Sequence, residues 1–341
     1  MFGAGPAINR SGTFPSTAGA VLSLLWVVGC SGPDTSDTTA AGADLEPPAP
    51  ATEPVDAASA AQDSLTSYYA SVENNLTSTG RMRRETAPAD APFGVEDLVR
   101  NFDRIALNVE YVEQDGRYVS AETPGILKRW ERPIRVGIMN SASISEAEAS
   151  RDRANVAAYT NRLAGLTGVD MRVVDATEGH ANFLVLFLNS QESAQFAERI
   201  TETYPEFAPA VMRGIRDATA DLFCVTYSFS DPNNPATYGA ALILIRAEHP
   251  AFTRLSCVHE EMAQAMGLPN DSPDARPSLF NTNLEFALLT EHDEMLLRML
   301  YDERLQPGMT AEDAQDILPD VARDAMNEHL LSLQATAAVI N

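Results

Sequence analysis

Apolar side chains recur with helical spacing over some stretches of this chain and with strand spacing over others, and the two kinds of stretch alternate regularly after residue 130. Before that point the pattern is sparse. Residues 63–85 carry a weak helical stripe (Leu65, Tyr68, Tyr69, Val72, Leu76) that ends near Gly80, and Val95–Leu107 carries a stronger one. Extended segments at Val109–Val112 and Tyr118–Ser120 flank Gly116 and predict a hairpin. From Ile134 onward the reading is strand Ile134–Met139, helix Ala147–Leu166 with Val156, Tyr159, Leu163 and Leu166 on one face, then strands Val169–Val174 and Phe183–Leu188. The last of these is apolar throughout, as a central strand buried on both faces must be. Helices follow at Glu192–Tyr204 and Pro209–Ala218. Strands Leu222–Phe229 and Ala240–Ile245 flank Asp231-Pro232-Asn233-Asn234-Pro235, read as a loop. A helix from about Pro250 to Gly267, a Pro/Asp/Ser-rich loop over 268–278, a helix opened by Thr290 and Asp293 at capping-box spacing and running through Tyr301, and a terminal helix from Ala311 to Leu333 complete the order. The fold class expected is α/β (α+β): a mixed sheet with helices packed on it.

Composition changes the picture at the N-terminus. Arg10 precedes a short apolar run, Ala18–Val28, which is the size of an export signal and short for a permanent span. The run ends in Val27-Val28-Gly29-Cys30, which resembles the lipobox of bacterial lipoproteins. That resemblance implies lipidation at Cys30, membrane attachment through the lipid, and a periplasm-facing place in the cell envelope; Ser31 after the cysteine points to the outer membrane. Residues 31–62 lack large apolar side chains and are expected to be a disordered tether, followed by a helical arm and extension over 63–129, a main domain over 130–309 and a C-terminal helix over 310–341. Eight acidic and no basic residues fall between 31 and 80, and the whole chain carries a formal charge of −24, which excludes a nucleic-acid-binding surface. Lys128 is the only lysine, a bias read as compositional. With Cys30 assigned to lipid, Cys224 and Cys257 remain in the folded part, and an exported protein pairs them; two buried thiols are the alternative.

The candidate chemistry lies in Cys257-Val258-His259-Glu260-Glu261-Met262-Ala263-Gln264-Ala265-Met266-Gly267-Leu268-Pro269-Asn270-Asp271. A zinc-protease helix reads H-E-x-x-H because positions i and i+4 share a face, and its longer form reads H-E-x-x-H-x-x-G-x-x-H. Read from His259 the second ligand position is Ala263 and the pattern fails. Read from Glu260, the spacing fits: Glu260, Gln264 and Asn270 fall at the three metal-ligand positions, Glu261 on the catalytic Glu, and Gly267 on the turn glycine. The stretch thus resembles the matrixin branch of the metzincins with its zinc-binding histidines replaced. Downstream, Ser278-Leu279-Phe280-Asn281 stands where that family has its Met-turn, with Phe280 at the methionine position, and Leu289–Asp293 and Leu300-Tyr301 match the final helix. The layout from 130 to 302 is similar too, which implies a metzincin-like mixed sheet with an active-site helix. Trp130 and the run Arg304–Met309 are also similar to a family of bacterial lipoproteins defined by a domain of unknown function, which implies no activity.

On a helical wheel Leu255, Val258, Met262, Ala265 and Met266 cluster opposite Cys257, Glu260, Glu261 and Gln264. The polar side is a solvated face, or it is a cleft beside the sheet if Cys257 bridges to Cys224. His259, about 100° round the helix from Glu260, is expected at the core edge and His292 at a helix start. Zinc prefers imidazole and thiolate, whereas Glu260, Gln264 and Asn270 offer oxygens and one charge; no cofactor is expected, and zinc or a harder divalent cation is the alternative. Three readings follow: a pseudo-protease that binds a polypeptide or envelope component, a hydrolase centred on Glu261, and a structural envelope lipoprotein.

Overall fold

The computed structural model describes residues 26–31, 54–115, 117–176, 180–204 and 207–340. Residues 1–25 of the expected 1–30 signal segment, most of the expected tether, and Gly116 lie outside the described residues. The elements are β1 (Trp26–Ser31), α1 (Pro54–Ser78), α2 (Val95–Ala106), β2 (Asn108–Gln114), β3 (Arg117–Pro124), β4 (Ile134–Asn140), α3 (Glu146–Thr167), β5 (Met171–Val174), β6 (Phe183–Leu188), α4 (Ser190–Thr203), α5 (Pro209–Arg216), β7 (Leu222–Asp231), β8 (Asn234–Arg246), α6 (Ala251–Ala265), α7 (Glu291–Leu300), α8 (Ala311–Ala314) and α9 (Leu318–Ile340).

The sheet order is β1-β7-β8-β6-β4-β5. Strands β5, β4, β6 and β8 run parallel, β7 runs antiparallel to β8, and β1 antiparallel to β7. This is the α/β mixed sheet that the pattern predicts. Strand β6 lies between β8 and β4, and both of its faces are covered. On one, Val185 and Phe187 pack in a core with Val136, Ile243, Ile245, Tyr159, Leu163 and Val258, beneath α3 and α6. On the other, Leu186 and Leu188 meet Phe196, Val211 and Ile215 from α4 and α5. The helix starts are set locally: Ser145 with Glu148, Asn189 with Glu192, and Thr290 with Asp293 each form a capping box. Among the described residues no helix is long and apolar enough to cross a membrane.

Three boundaries differ from the sequence reading, each for a local reason. Helix α1 begins at Pro54, inside the segment expected as tether, because Pro suits the first helical turn and the Ala-rich run after it has high helix propensity without needing large apolar groups. Strand β8 begins at Asn234, so the expected five-residue loop is a tight turn; the ladder reaches it through register slips on both sides of Ser230. The terminal helix is broken into α8 and α9 by Pro319, which lacks the N–H that a continuous helix requires.

Candidate functional site

Helix α6 is anchored at both ends and on both sides. At its start Glu73 of α1 accepts hydrogen bonds from the Thr253 backbone N–H (2.9 Å) and hydroxyl (2.7 Å). The buried Arg254 donates to Asp152 of α3 (2.9 Å) and to the His249 carbonyl (2.6 Å). At the other end the Trp130 indole N–H donates to the Ala265 carbonyl (2.8 Å) and the Tyr301 hydroxyl to the Met266 carbonyl (2.9 Å), so the last carbonyls of the helix are satisfied by side chains. The chain then leaves through Gly267 at φ +125, where a Cβ would sit 2.2 Å from the Lys128 carbonyl oxygen. Only glycine fits there, on backbone grounds alone.

The face that carries Cys257, Glu260, Glu261 and Gln264 is tied to the sheet at Cys257. Cys224 of β7 and Cys257 form a disulfide with Cα atoms 6.0 Å apart, and Thr226, also of β7, donates its hydroxyl to the Glu261 carbonyl (2.9 Å). Among the described residues this face is closed, in place of the open cleft expected from the sequence. Glu260, Glu261 and Gln264 are all buried, at 5 %, 0 % and 1 % exposure. Beside Glu260 the N-terminal arm packs on the return loop. Met82 and Arg83 donate backbone hydrogen bonds to the Leu284 and Glu285 carbonyls (2.8 and 2.7 Å), and Ala287 returns one to Arg83 (3.0 Å). Leu76 and Met82 from the arm, with Leu279, Leu284 and Phe286, line a small pocket beside Glu260 and the disulfide. Both polar atoms of the Gln264 side chain lack a hydrogen-bond partner among the described residues.

Asn270 stands with α2. Its backbone N–H donates to the Ile105 carbonyl (3.2 Å) and its side-chain amide to the Arg104 carbonyl (2.9 Å). Glu260, Gln264 and Asn270 supply one carboxylate and two amides, with no imidazole or thiolate, a donor set that does not fit zinc. Among the described residues no group of three or more His, Cys, Asp and Glu side chains is placed to hold an ion. His259 accepts a hydrogen bond at Nδ1 from the Leu289 backbone (3.1 Å) and stacks on Tyr159 at 4.2 Å; burial, with Arg162 adding to it, pushes its pKa down to about 3.

The turn at 278–281 is organised by Asp293. Its carboxylate accepts from the Ser278 hydroxyl (2.6 Å), the Leu279 backbone (2.9 Å), and the Thr290 backbone and hydroxyl (both 2.9 Å). Asn281 donates to the Pro273 and Ala275 carbonyls, and Phe280 is wholly buried in the main core. His292 lies 2.9 Å from the Asn101 amide and 3.3 Å from Asp293, inside the protein. Ser278, His292 and Asp293 thus form a buried brace between loop and helix. Cys30 lies in β1, whose backbone pairs with β7.

Two polar clusters were not anticipated. Glu248 accepts from the Ser190 backbone and hydroxyl (both 2.9 Å), tying β8 to the start of α4, with Arg246 donating to the same hydroxyl (2.9 Å). Lys128 donates to the Ser230 hydroxyl at 3.0 Å. The only sequence signal for either was that Lys128 is the sole lysine.

No curated protein and no solved structure matches the chain. One family profile does, that described as "Protein of unknown function (DUF2927)", over residues 95–320, a range that takes in α2, the whole β4–β8 sheet, α6 and its return loop. With most of its length matched in this way, the chain belongs to the DUF2927 family.

Proposed function

We propose that this chain is an envelope lipoprotein that keeps a metzincin-like scaffold without its metal chemistry and serves as a non-proteolytic binding or scaffolding protein, with a polypeptide or another envelope component as partner. The burial of Glu260, Glu261 and Gln264, with Leu76 and Met82 of the N-terminal arm beside Glu260, is the observation that carries this reading. A hydrolytic site needs a place for substrate beside its general base, and here Glu261 is fully buried. The metzincin-like scaffold is supported by the mixed sheet, by antiparallel β7 beside α6, and by a return loop with an aromatic side chain in the core ahead of a final helix. Attachment rests on the Val27–Cys30 lipobox; processing before Cys30 would take Trp26–Gly29 out of β1 and leave β7 without that neighbour.

Elemental analysis and a casein assay on the purified protein test the non-proteolytic reading. No stoichiometric zinc and no cleavage are expected. Zinc at one equivalent per chain, with casein cleavage abolished by Glu261→Gln, would replace this reading with that of a hydrolase centred on Glu261. Detergent phase separation tests the anchor: wild type enters the detergent phase and Cys30→Ala does not, whereas a wild type that stays in the aqueous phase rules the lipoprotein out.

A further inference from the structure

Lys128 is the single lysine among 24 Lys and Arg residues. Every other basic position in the chain is filled by arginine, so lysine at 128 calls for a reason that arginine would not meet. The two differ in one decisive respect: a buried ammonium gives up its proton readily and a guanidinium does not. Lys128 is buried, at 3 % exposure. Its backbone is held firmly. The neighbouring Leu127 exchanges hydrogen bonds with Met309 (2.7 Å) and Gly308 (2.8 Å), the Arg129 carbonyl accepts from Tyr238 (3.1 Å), and the Lys128 carbonyl packs against Gly267. From this fixed point the side chain reaches Ser230, with Nζ 3.0 Å from Oγ.

Ser230 sits at an irregular place in the sheet. The β7–β8 register runs Phe229↔Ala240, Ser230↔Tyr238, Asp231↔Asn234, with a slip on either side of Ser230. Such irregularities re-aim a side chain relative to a regular strand. Ser230 is half-buried and Lys128 is buried. Desolvation lowers the Lys128 pKa from 10.5 to about 8, so a large fraction of the amine is neutral in mildly alkaline solution. On the same segments Arg132 pairs with Asp231 (2.8 Å), and Arg129 pairs with Glu131 (2.7 Å) and donates to the Leu300 and Asp302 carbonyls. The pair is four residues along β7 from Thr226, which touches Glu261, a separation of roughly 13 Å at strand spacing.

We propose that Ser230 and Lys128 are a nucleophile–base pair that takes the acyl group of an ester or thioester. Serine activated by a neutral lysine is a recurrent alternative to the serine–histidine arrangement. Ser230 Oγ attacks the acyl carbonyl carbon and forms the new C–O bond, and its proton passes to Lys128 Nζ. The bond to the leaving alcohol or thiol breaks, and that group takes the proton from Lys128. Water then attacks the acyl-serine in the same manner, releasing the carboxylic acid and restoring the hydroxyl. This activity is separate from the Glu260–Gln264 face, and it stands or falls independently of whether that face is hydrolytic.

The test uses the whole protein with p-nitrophenyl acetate, following p-nitrophenolate release and locating the acetyl group by peptide mass spectrometry. Acetylation at Ser230 is expected, with a rate that rises through a midpoint near pH 8 and then levels off. Ser230→Ala abolishes it, and Lys128→Met lowers it by about 10²-fold or more. Should Lys128→Met fail to fold, the pH profile of the wild type and the Ser230→Ala variant decide the matter. Acetyl found on Lys128 Nζ, a Ser230→Ala rate equal to wild type, or a rate that climbs with hydroxide and never levels off would overturn the proposal.

Discussion

Glu73 and Thr253, far apart in the chain, meet at the start of helix α6, where one Glu73 oxygen accepts both the backbone N–H (2.9 Å) and the hydroxyl (2.7 Å) of Thr253. The N-cap position of α6 is Pro250, whose side chain offers no oxygen. The carboxylate of another helix takes over the work an N-cap side chain would do, and its negative charge also suits the positive end of the helix. The arm and α6 therefore stabilise each other.

Glu73→Ala removes that acceptor and should lower stability by about 1 kcal/mol, the usual cost of a lost cap. Glu73→Gln keeps an oxygen and gives up the charge, so it should fall between the two. Urea denaturation of the three proteins measures this, and an unchanged midpoint for Glu73→Ala would show that the contact contributes nothing in solution.

The Cys224–Cys257 bridge spans 33 residues and joins β7 to α6 behind Glu260. Closing a loop of that size should stabilise the chain by about 3–4 kcal/mol on chain-entropy grounds. Replacing both cysteines by serine should lower the melting temperature, and a reductant should lower that of the wild type while leaving the double variant alone. If reductant has no effect on wild type under conditions where free thiols are titrated, the bridge is not a source of stability.

Much of this architecture could be read from the chain, and the parts that could not share a cause. Phe183–Leu188 was legible as a central strand because a segment apolar on both faces has no other stable place. The Thr290–Asp293 cap was legible because its partners are three residues apart. The disulfide followed from there being two cysteines left in the folded part. What failed was the step from a helical wheel to an open cleft. A wheel separates Glu260 and Gln264 from Val258 and Met262, but it says nothing of what arrives from elsewhere, and here a distant segment bearing Leu76 and Met82 arrives on the polar side. Contacts such as Glu73 with Thr253, or Asn270 with Arg104, join residues more than 160 positions apart and leave no local pattern. Lys128 is visible in the sequence only as a count, and its burial is what gives the count a meaning.

Two histidines fix the direction of the pH response. Burial pushes His249 and His259 down from 6.5 to about 3. In the unfolded chain each takes up a proton as the pH falls through 6.5, whereas in the native chain each stays neutral until about pH 3. The unfolded state binds more protons across that window, so their contribution is complete above pH 6.5 and is lost progressively on acidification toward 3. Each should contribute a slope of about 1.4 kcal/mol per pH unit between the two values. Urea midpoints at pH 7, 6 and 5 should fall in order, and His259→Asn, which keeps an acceptor for the Leu289 N–H, should flatten the fall by about half. Equal midpoints at pH 7 and 5 would mean that neither ring is buried neutral.

Gly267 separates what the helix motif means from what the fold needs. Its spacing from Glu260 matches a turn glycine of a metal-binding pattern, yet no metal is needed to explain it. The backbone there has φ +125, and a Cβ would lie 2.2 Å from the Lys128 carbonyl oxygen and 3.0 Å from a Leu300 methyl. The first contact is with main chain, which cannot turn aside as a side chain would. Lys128 cannot easily retreat either, since Leu127 on one side and Arg129 on the other are hydrogen-bonded to Met309, Gly308 and Tyr238. Gly267→Ala should therefore cost about 3 kcal/mol or more, combining an unfavourable backbone conformation with a clash that requires main-chain movement. Gly165, inside α3 with no atom within 4 Å of its Cβ position, is the control: Gly165→Ala should be neutral or slightly stabilising. Melting temperatures of the two variants decide the point. A Gly267→Ala protein as stable as wild type would remove the steric reason for this glycine and return the explanation to the motif.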